Sequence, residues 1–319
     1  MTWFLEVPYI FRCRVTMGEL LMSKPAIKAD ELSKFYGKQR GIVDLNLEVH
    51  EGEIFGFIGP NGAGKSTTIR TLLNLIFPSS GHAEIFGKDV VRNSAEIKHS
   101  IGYVPSEVRY YAKMSVRELL AYAARFHGLG DLGRGEELSE TFDLDLDRKI
   151  DDLSSGNTKK VALVQAMLHS PKLLILDEAT SGLDPLIQNR FYDLLLDENR
   201  RGATVFFSSH TLGEVERLCK QVAIIKDGKI IANEDVESLR RKRMRRVVFS
   251  AEKNAEIPGL SSNRIVDLER DSERVAFLYA GTSVELIQDL SGIELHALRI
   301  EEPSLEEVFI HYYTNEGEE

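Results

Sequence analysis

Short apolar runs separated by polar turns alternate along the chain with stretches whose apolar residues recur every three or four positions. Glu53-Ile-Phe-Gly-Phe-Ile58, Leu173–Leu176 and the run ending in Phe206-Phe-Ser-Ser-His210 are apolar at consecutive positions, the pattern of buried strands. The first leads into a glycine-rich segment, Gly59–Thr67, and then into Thr68-Ile-Arg-Thr-Leu-Leu-Asn-Leu-Ile76, which reads as a helix. An amphipathic helical region is expected from about Ser115. Another follows Asp152-Leu-Ser-Ser-Gly-Asn-Thr-Lys-Lys160, a polar stretch set before the apolar run Val161–Leu168. Strands alternating with helices predict an α/β fold.

The pattern changes after Arg246. Val247–Ala251 alternates as a short strand, and the segments Arg264–Arg270 and Arg274–Ala280 read as a hairpin around Asp271-Ser-Glu. Thr282-x-x-Glu285 has the spacing of a capping box ahead of a helix. Ile293–Ile300 reads as a strand, and Ser304-x-x-Glu307 is expected to cap a last helix through Tyr313. Residues 245–319 are therefore expected to form a small α+β domain with no catalytic cluster, following a main domain over residues 22–240.

Composition narrows the function classes. The chain has 319 residues, enough for one large domain and a smaller one, with 43% hydrophobic and 28% charged residues. No apolar run approaches the roughly 20 residues that a membrane span needs, so any membrane role is expected to come through a partner. Cys13 and Cys219 are too few for a disulfide framework and suit a reducing cytosol. The net charge of −10 sits almost entirely in residues 244–319, where 7 basic residues face 16 acidic ones. Without a dominant basic face, no nucleic-acid partner is expected. The basic run Arg240–Arg246 reads as a solvated helix end leading into a linker. Residues 1–21 lack the order of a signal peptide and are expected to be disordered or outside the native chain, with translation starting at Met22.

The glycine-rich segment carries chemistry. Gly59-Pro60-Asn61-Gly62-Ala63-Gly64-Lys65-Ser66-Thr67 follows the phosphate-loop pattern G-x-x-x-x-G-K-[ST], between a strand and a helix as the pattern requires. The glycines let successive N–H groups turn toward one anion, and the helix dipole adds to them. Lys65 supplies a mobile cation for the outer phosphates, and the Ser66 hydroxyl is a hard oxygen ligand for Mg²⁺. A nucleoside triphosphate, ATP, is the expected cofactor together with Mg²⁺. Asp177 and Glu178 end the second apolar strand. Asp177 is placed to orient Mg²⁺, and Glu178 to polarise an attacking water as general base.

With these motifs in order, residues 25–235 resemble the ATP-binding cassette ATPases, the nucleotide-binding subunits of ABC transporters. Leu153-Ser-Ser-Gly-Asn157, 23 residues before Asp177, is similar to the family signature, usually L-S-G-G-Q. The resemblance implies that Ser154 and the Gly156 backbone contact ATP bound by the opposite protomer; Ser154 also suits plain helix capping, and the two roles are compatible. It further implies that Tyr36 stacks on adenine, that Ser181-Gly-Leu-Asp184 bridges the protomers, that Glu178 is the catalytic base and that His210 contacts the γ-phosphate. The implied fold is a P-loop cassette, a mixed sheet core with a helical subdomain over about residues 105–165 that receives a permease's coupling helix. Tyr110 and Tyr111 there suit an interface or ordinary packing equally. The tail is similar to the accessory domain on cassettes of ABC-2 type exporters. The implied assembly is a homodimer bound to an integral membrane permease at the cytoplasmic face of the cell membrane.

The chain departs from the family pattern at the signature (Ser155, Asn157), at Ala179 in place of proline, and at Ser106, where a glutamine normally stands. Serine is too short for a glutamine's direct reach to Mg²⁺, so either a water or Glu107 would take its place. The alternatives to a transporter ATPase are a soluble, non-transport cassette ATPase and a nucleotide-gated interaction module.

Overall fold

The structure is a computed structural model that describes residues 24–110, 113–241, 245–250, 264–271, 274–291 and 297–301. The expectations for residues 1–21, for Tyr111 and for the helix after Ser304 lie outside these residues, as does Cys13. Cys219 is a buried free thiol.

Three sheets are present among the described residues. The first is antiparallel, in the order β2-β1-β4-β5, from β1 (Pro25–Tyr36), β2 (Gln39–His50), β4 (Ser80–Ile85) and β5 (Lys88–Asp89). The second has the order β10-β9-β3-β8-β7-β6, from β3 (Ile54–Ile58), β6 (Ile101–Val104), β7 (Leu173–Asp177), β8 (Thr204–Ser209), β9 (Gln221–Lys226) and β10 (Lys229–Asp235). Its strands β9, β3, β8, β7 and β6 are parallel, and only β10 runs the other way. The third, β12-β13-β11-β14, is antiparallel. It comprises β11 (Arg245–Ser250), β12 (Ile265–Asp271), β13 (Arg274–Tyr279) and β14 (Ala297–Glu301).

The second sheet explains the unbroken apolar runs. Ile58, Leu174, Leu176, Val205, Phe207, Val222 and Ile224 point into one buried cluster shared with the helices. Phe55, Phe57, Leu173, Ile175, Phe206, Ala223 and Ile225 point into the other, shared with the first sheet. Alternate residues thus serve opposite cores, and the strands are apolar on both faces except at ends such as Asp177, Thr204, Ser208 and Ser209. Full burial of such side chains contributes about 1.5–3 kcal/mol each before conformational entropy is set against it.

The helices are α1 (Lys65–Leu72), α2 (Ser94–His99), α3 (Val116–Phe126), α4 (Gly133–Thr141), α5 (Ser155–Met167), α6 (Pro185–Arg200), α7 (Leu212–Leu218), α8 (Val236–Arg241) and α9 (Ser283–Leu290). Helix α1 ends four residues earlier than the apolar spacing to Ile76 suggests: Asn74 takes a left-handed φ of 48°, and the Leu75 N–H turns back to the carbonyl of Arg70. Helix α3 opens where expected, with Ser115 and Glu118 forming both bonds of a capping box. Helices α3, α4 and α5 pack together over the first cluster. In the third sheet, Asp271 faces Arg274 across the expected hairpin, and Thr282 and Glu285 cap α9 reciprocally. A separate small core of Val247, Phe249, Val275, Phe277, Tyr279, Leu286 and Leu290 lies between that sheet and α9.

Candidate active site

Parallel strands deliver their carboxyl ends to one edge, and four of them bring the chemistry there. Strand β3 runs into Gly59–Thr67, β7 ends in Asp177, β8 is followed by His210, and β6 is followed by Ser106 after Pro105. Strand β8 lies between β3 and β7.

Backbone space fixes the phosphate loop. A Cβ on Gly59 would stand 2.3 Å from the carbonyl oxygen of Ile225, so no side chain fits there. Gly64 has a φ of 115° at the N-cap of α1, with no side chain capping the helix, so the first-turn N–H groups face outward as anion donors. Tyr36, Asn61, Gly62, Gly64, Lys65, Ser66, Thr67 and Glu178 line one depression of about 400 Å³. Tyr36 is 46% exposed at its rim, and the Lys34 ammonium stands over its ring, 5.4 Å from the centroid.

Inside, the charges meet. Lys65 is buried; its Nζ donates to the carbonyls of Gly59 (2.6 Å) and Pro60 (3.2 Å) and lies 3.3 Å from Glu178 Oε1. The Nδ1 of His210 is 3.6 Å from the same Glu178 oxygen. Glu178 adopts a left-handed φ of 49°, and its N–H donates to the carbonyl of Ser208. That conformation costs roughly 1–2 kcal/mol for a residue with a Cβ, and it turns the carboxylate off the strand direction toward Lys65. Asp177 is fully buried, and burial pushes its carboxyl above the ordinary value, against the opposing pull of the nearby Ser66 and Ser106 hydroxyls. Ser208 also donates to Asp177 Oδ1, while Oδ2 has no hydrogen-bond partner.

The signature segment stands elsewhere. Ser154 is the N-cap of α5 and accepts the N–H of Asn157, and a Cβ on Gly156 would come within 3.0 Å of the Gly182 carbonyl. Asp184 caps α6 by accepting the N–H groups of Leu186 and Ile187. None of Ser154, Gly156 and Asp184 lines the depression that holds Lys65. Ala179 is buried in the first core cluster.

Glu107, the candidate to replace the missing glutamine, is solvent-exposed beside Arg109, whereas the Ser106 hydroxyl lies near enough to Asp177 to favour its ionised form. Tyr110 is half-buried against the core and donates to Gln165 at 2.7 Å; burial pushes its phenol pKa up. With Tyr103, Tyr122, Phe126 and His169 it also lines a groove of about 530 Å³, and Tyr122 and Phe126 are each 63% exposed.

Sequence motifs missed two groups at this edge. Ser208 bonds Asp177, and Lys159, on α5, is 3% exposed and donates to the carbonyls of Pro105 (2.8 Å) and Ser106 (3.1 Å). The signal for Lys159 was a charge on the buried face of a helix, four residues before Leu163.

Residues 42–181 match the family model described as ABC transporter. The chain is 34% identical over 294 residues to the bacitracin transport ATP-binding protein BcrA of Bacillus licheniformis, covering 89% of this chain and 96% of that one. It is 35% identical to the linearmycin resistance ATP-binding protein LnrL of Bacillus subtilis, over 65% of this chain and 68% of that protein. A solved ATP binding subunit of an ABC transporter superposes with a TM-score of 0.64 at 31% identity, over 68% of this chain and 92% of that one.

Proposed function

The chain belongs to the ABC transporter ATP-binding proteins, and on that premise we propose that it hydrolyses ATP between two copies of itself to drive a separate membrane permease. The observation that carries this reading is the division of the site. One depression holds the phosphate loop, Lys65, Glu178 and Tyr36, while Ser154 and Gly156 open a helix that does not line it. A second protomer is needed to bring such a helix N-terminus to the γ-phosphate.

In each site Tyr36 stacks on the adenine, and the N–H groups of Gly59–Thr67 and the Lys65 ammonium hold the phosphates. Glu178 accepts a proton from the attacking water, and His210, beside it, contacts the γ-phosphate. Ser154 and Gly156 complete the site in trans, with Asp184 in the segment between protomers. The residues fit Mg²⁺: the unpartnered, fully buried Oδ2 of Asp177 and the Ser66 hydroxyl are hard oxygen donors. When bound there, Mg²⁺ supplies charge neutralisation on the phosphate oxygens.

The groove flanked by the exposed rings of Tyr122 and Phe126 is the surface for the permease. Among the described residues no helix is long and apolar enough to cross a membrane. In this reading the permease is a separate chain and holds this subunit at the cytoplasmic face of the cell membrane. The names of the relatives, bacitracin transport and linearmycin resistance, favour transport over a soluble, non-transport ATPase, and in this reading the partner is an ABC-2 type permease that works as an exporter. Residues 22–240 are the cassette and 245–319 an accessory domain, consistent with the separate core around Phe249 and Phe277.

Complementation tests the composite site. Ser154→Arg places a bulky cation at the dimer face and abolishes turnover, while a single protomer still binds ATP. Mixed with Lys65→Ala protomers it regains one working site. Mixtures no more active than either parent would mean either that both sites must fire together or that the trans assignment is wrong, and ATP-dependent dimerisation of the mixture tells these apart.

A further inference from the structure

Lys159 is a buried cation for which the motifs provide no task. It stands in the second turn of α5, 3% exposed, and its partners are carbonyl oxygens of Pro105 and Ser106 rather than a carboxylate. Burial opposes its charge, and the fields of Asp177 and Glu178 favour it. A methionine of similar length would fill the same space without that desolvation cost. What the ammonium adds is direction: two charge-assisted bonds that fix one stretch of backbone.

That backbone carries the serine standing at the glutamine position. The Ser106 hydroxyl stands near the Asp177 carboxyl and, with the Ser66 hydroxyl, favours its ionised form. A glutamine has reach enough to find its target from a loosely held backbone, whereas a serine stays in contact only where its Cα is held in place. We propose that Lys159 is a positioning residue for hydrolysis, holding the Pro105–Ser106 backbone, which leaves β6 just after Val104 pairs with Leu176, so that the Ser106 hydroxyl stays beside Asp177. It thereby links the metal side of its own site to α5, whose first turn serves the opposite protomer. This last link rests on the trans reading of Ser154 and Gly156; the hold on Asp177 does not.

Full-length Lys159→Met should lose roughly tenfold to a hundredfold in turnover, the scale of a misplaced group. The Mg²⁺ concentration for half-maximal hydrolysis should rise, and ATP binding by single protomers should be unchanged, because the phosphate loop is untouched. With no nucleotide added, amide exchange at Ser106, Glu107 and Val108 should quicken. Lys159→Arg should restore part of each effect. Ser106→Ala should also raise the Mg²⁺ requirement, and the double variant should be no worse than the worse single one, since both act through the same contact. Unchanged turnover and exchange in Lys159→Met, or penalties that add, overturn the proposal. Where Lys159→Met does not fold, an unchanged Mg²⁺ requirement in Ser106→Ala overturns it alone. Mixing with Lys65→Ala separates the two readings. Lys159→Met should not regain activity there, because its defect lies beside its own Asp177, and recovery would contradict the proposal. Failure of the Ser154→Arg mixture strikes the composite site instead.

Discussion

The Lys65 ammonium lies 3.3 Å from Oε1 of Glu178, the oxygen that His210 also approaches at 3.6 Å. A triphosphate entering the loop competes for the same cation. On the proposed mechanism, binding would exchange a carboxylate partner for phosphate and free the Glu178 oxygen to accept a proton from water. Glu178 holds this position with a left-handed φ of 49°.

Glu178→Gln should keep ATP binding and lower turnover by roughly a hundredfold or more, the scale of a lost general base. It should also accumulate an ATP-bound dimer. Steady-state hydrolysis and size-exclusion chromatography with ATP measure both, and hydrolysis at the original rate removes Glu178 from the role.

Lys65→Ala acts one step earlier. The phosphates lose a direct cation, so nucleotide affinity itself should fall, together with turnover. A fluorescent ATP analogue titrated against the variant reads this, and affinity equal to the parent's would show that Lys65 stays on Glu178 and the loop carbonyls.

Ser106→Gln should lower the Mg²⁺ concentration for half-maximal hydrolysis, because a side-chain oxygen replaces a water whose immobilisation costs up to about 2 kcal/mol. Glu107→Ala should change nothing, since Glu107 faces solvent beside Arg109. A raised requirement in Glu107→Ala would instead make that carboxylate the glutamine's substitute. Titrating Mg²⁺ at saturating ATP distinguishes them.

Burial lowers the Lys159 pKa from the ordinary 10.5 to about 8. Between those values the unfolded chain holds the proton and the folded chain does not, so this group makes stability rise with pH across that window. Below about pH 8 both states are protonated at Lys159 and the slope vanishes. Urea unfolding at about pH 7 and about pH 10 should show that rise in the parent, and a smaller one in Lys159→Met. The same slope in both would place the titration elsewhere.

Gly59 tests the loop by shape alone. A methyl group there meets the Ile225 carbonyl at 2.3 Å, so Gly59→Ala should displace β9 or the loop and weaken ATP binding. Thermal unfolding with and without ATP measures the two effects separately.

The sequence by itself determined the groups whose neighbours along the chain do the work. The loop Gly59–Thr67 needs only a strand before it and a helix after it, and Ser115 and Thr282 cap their helices through residues three positions on. Strands β3, β7 and β8 are legible because both faces of each are buried, which leaves an unbroken apolar run. The tertiary structure alone decided what depends on distant partners. That Ser208 bonds Asp177 and Ser106 lies near it follows from the order β8-β7-β6, and strand order leaves no mark on apolar spacing. That Glu107 faces solvent while Lys159 turns inward follows from how α5 packs beside β6. A charge in a sequence looks the same whether water or a carbonyl receives it, because its desolvation is set by the packing of segments far apart in the chain.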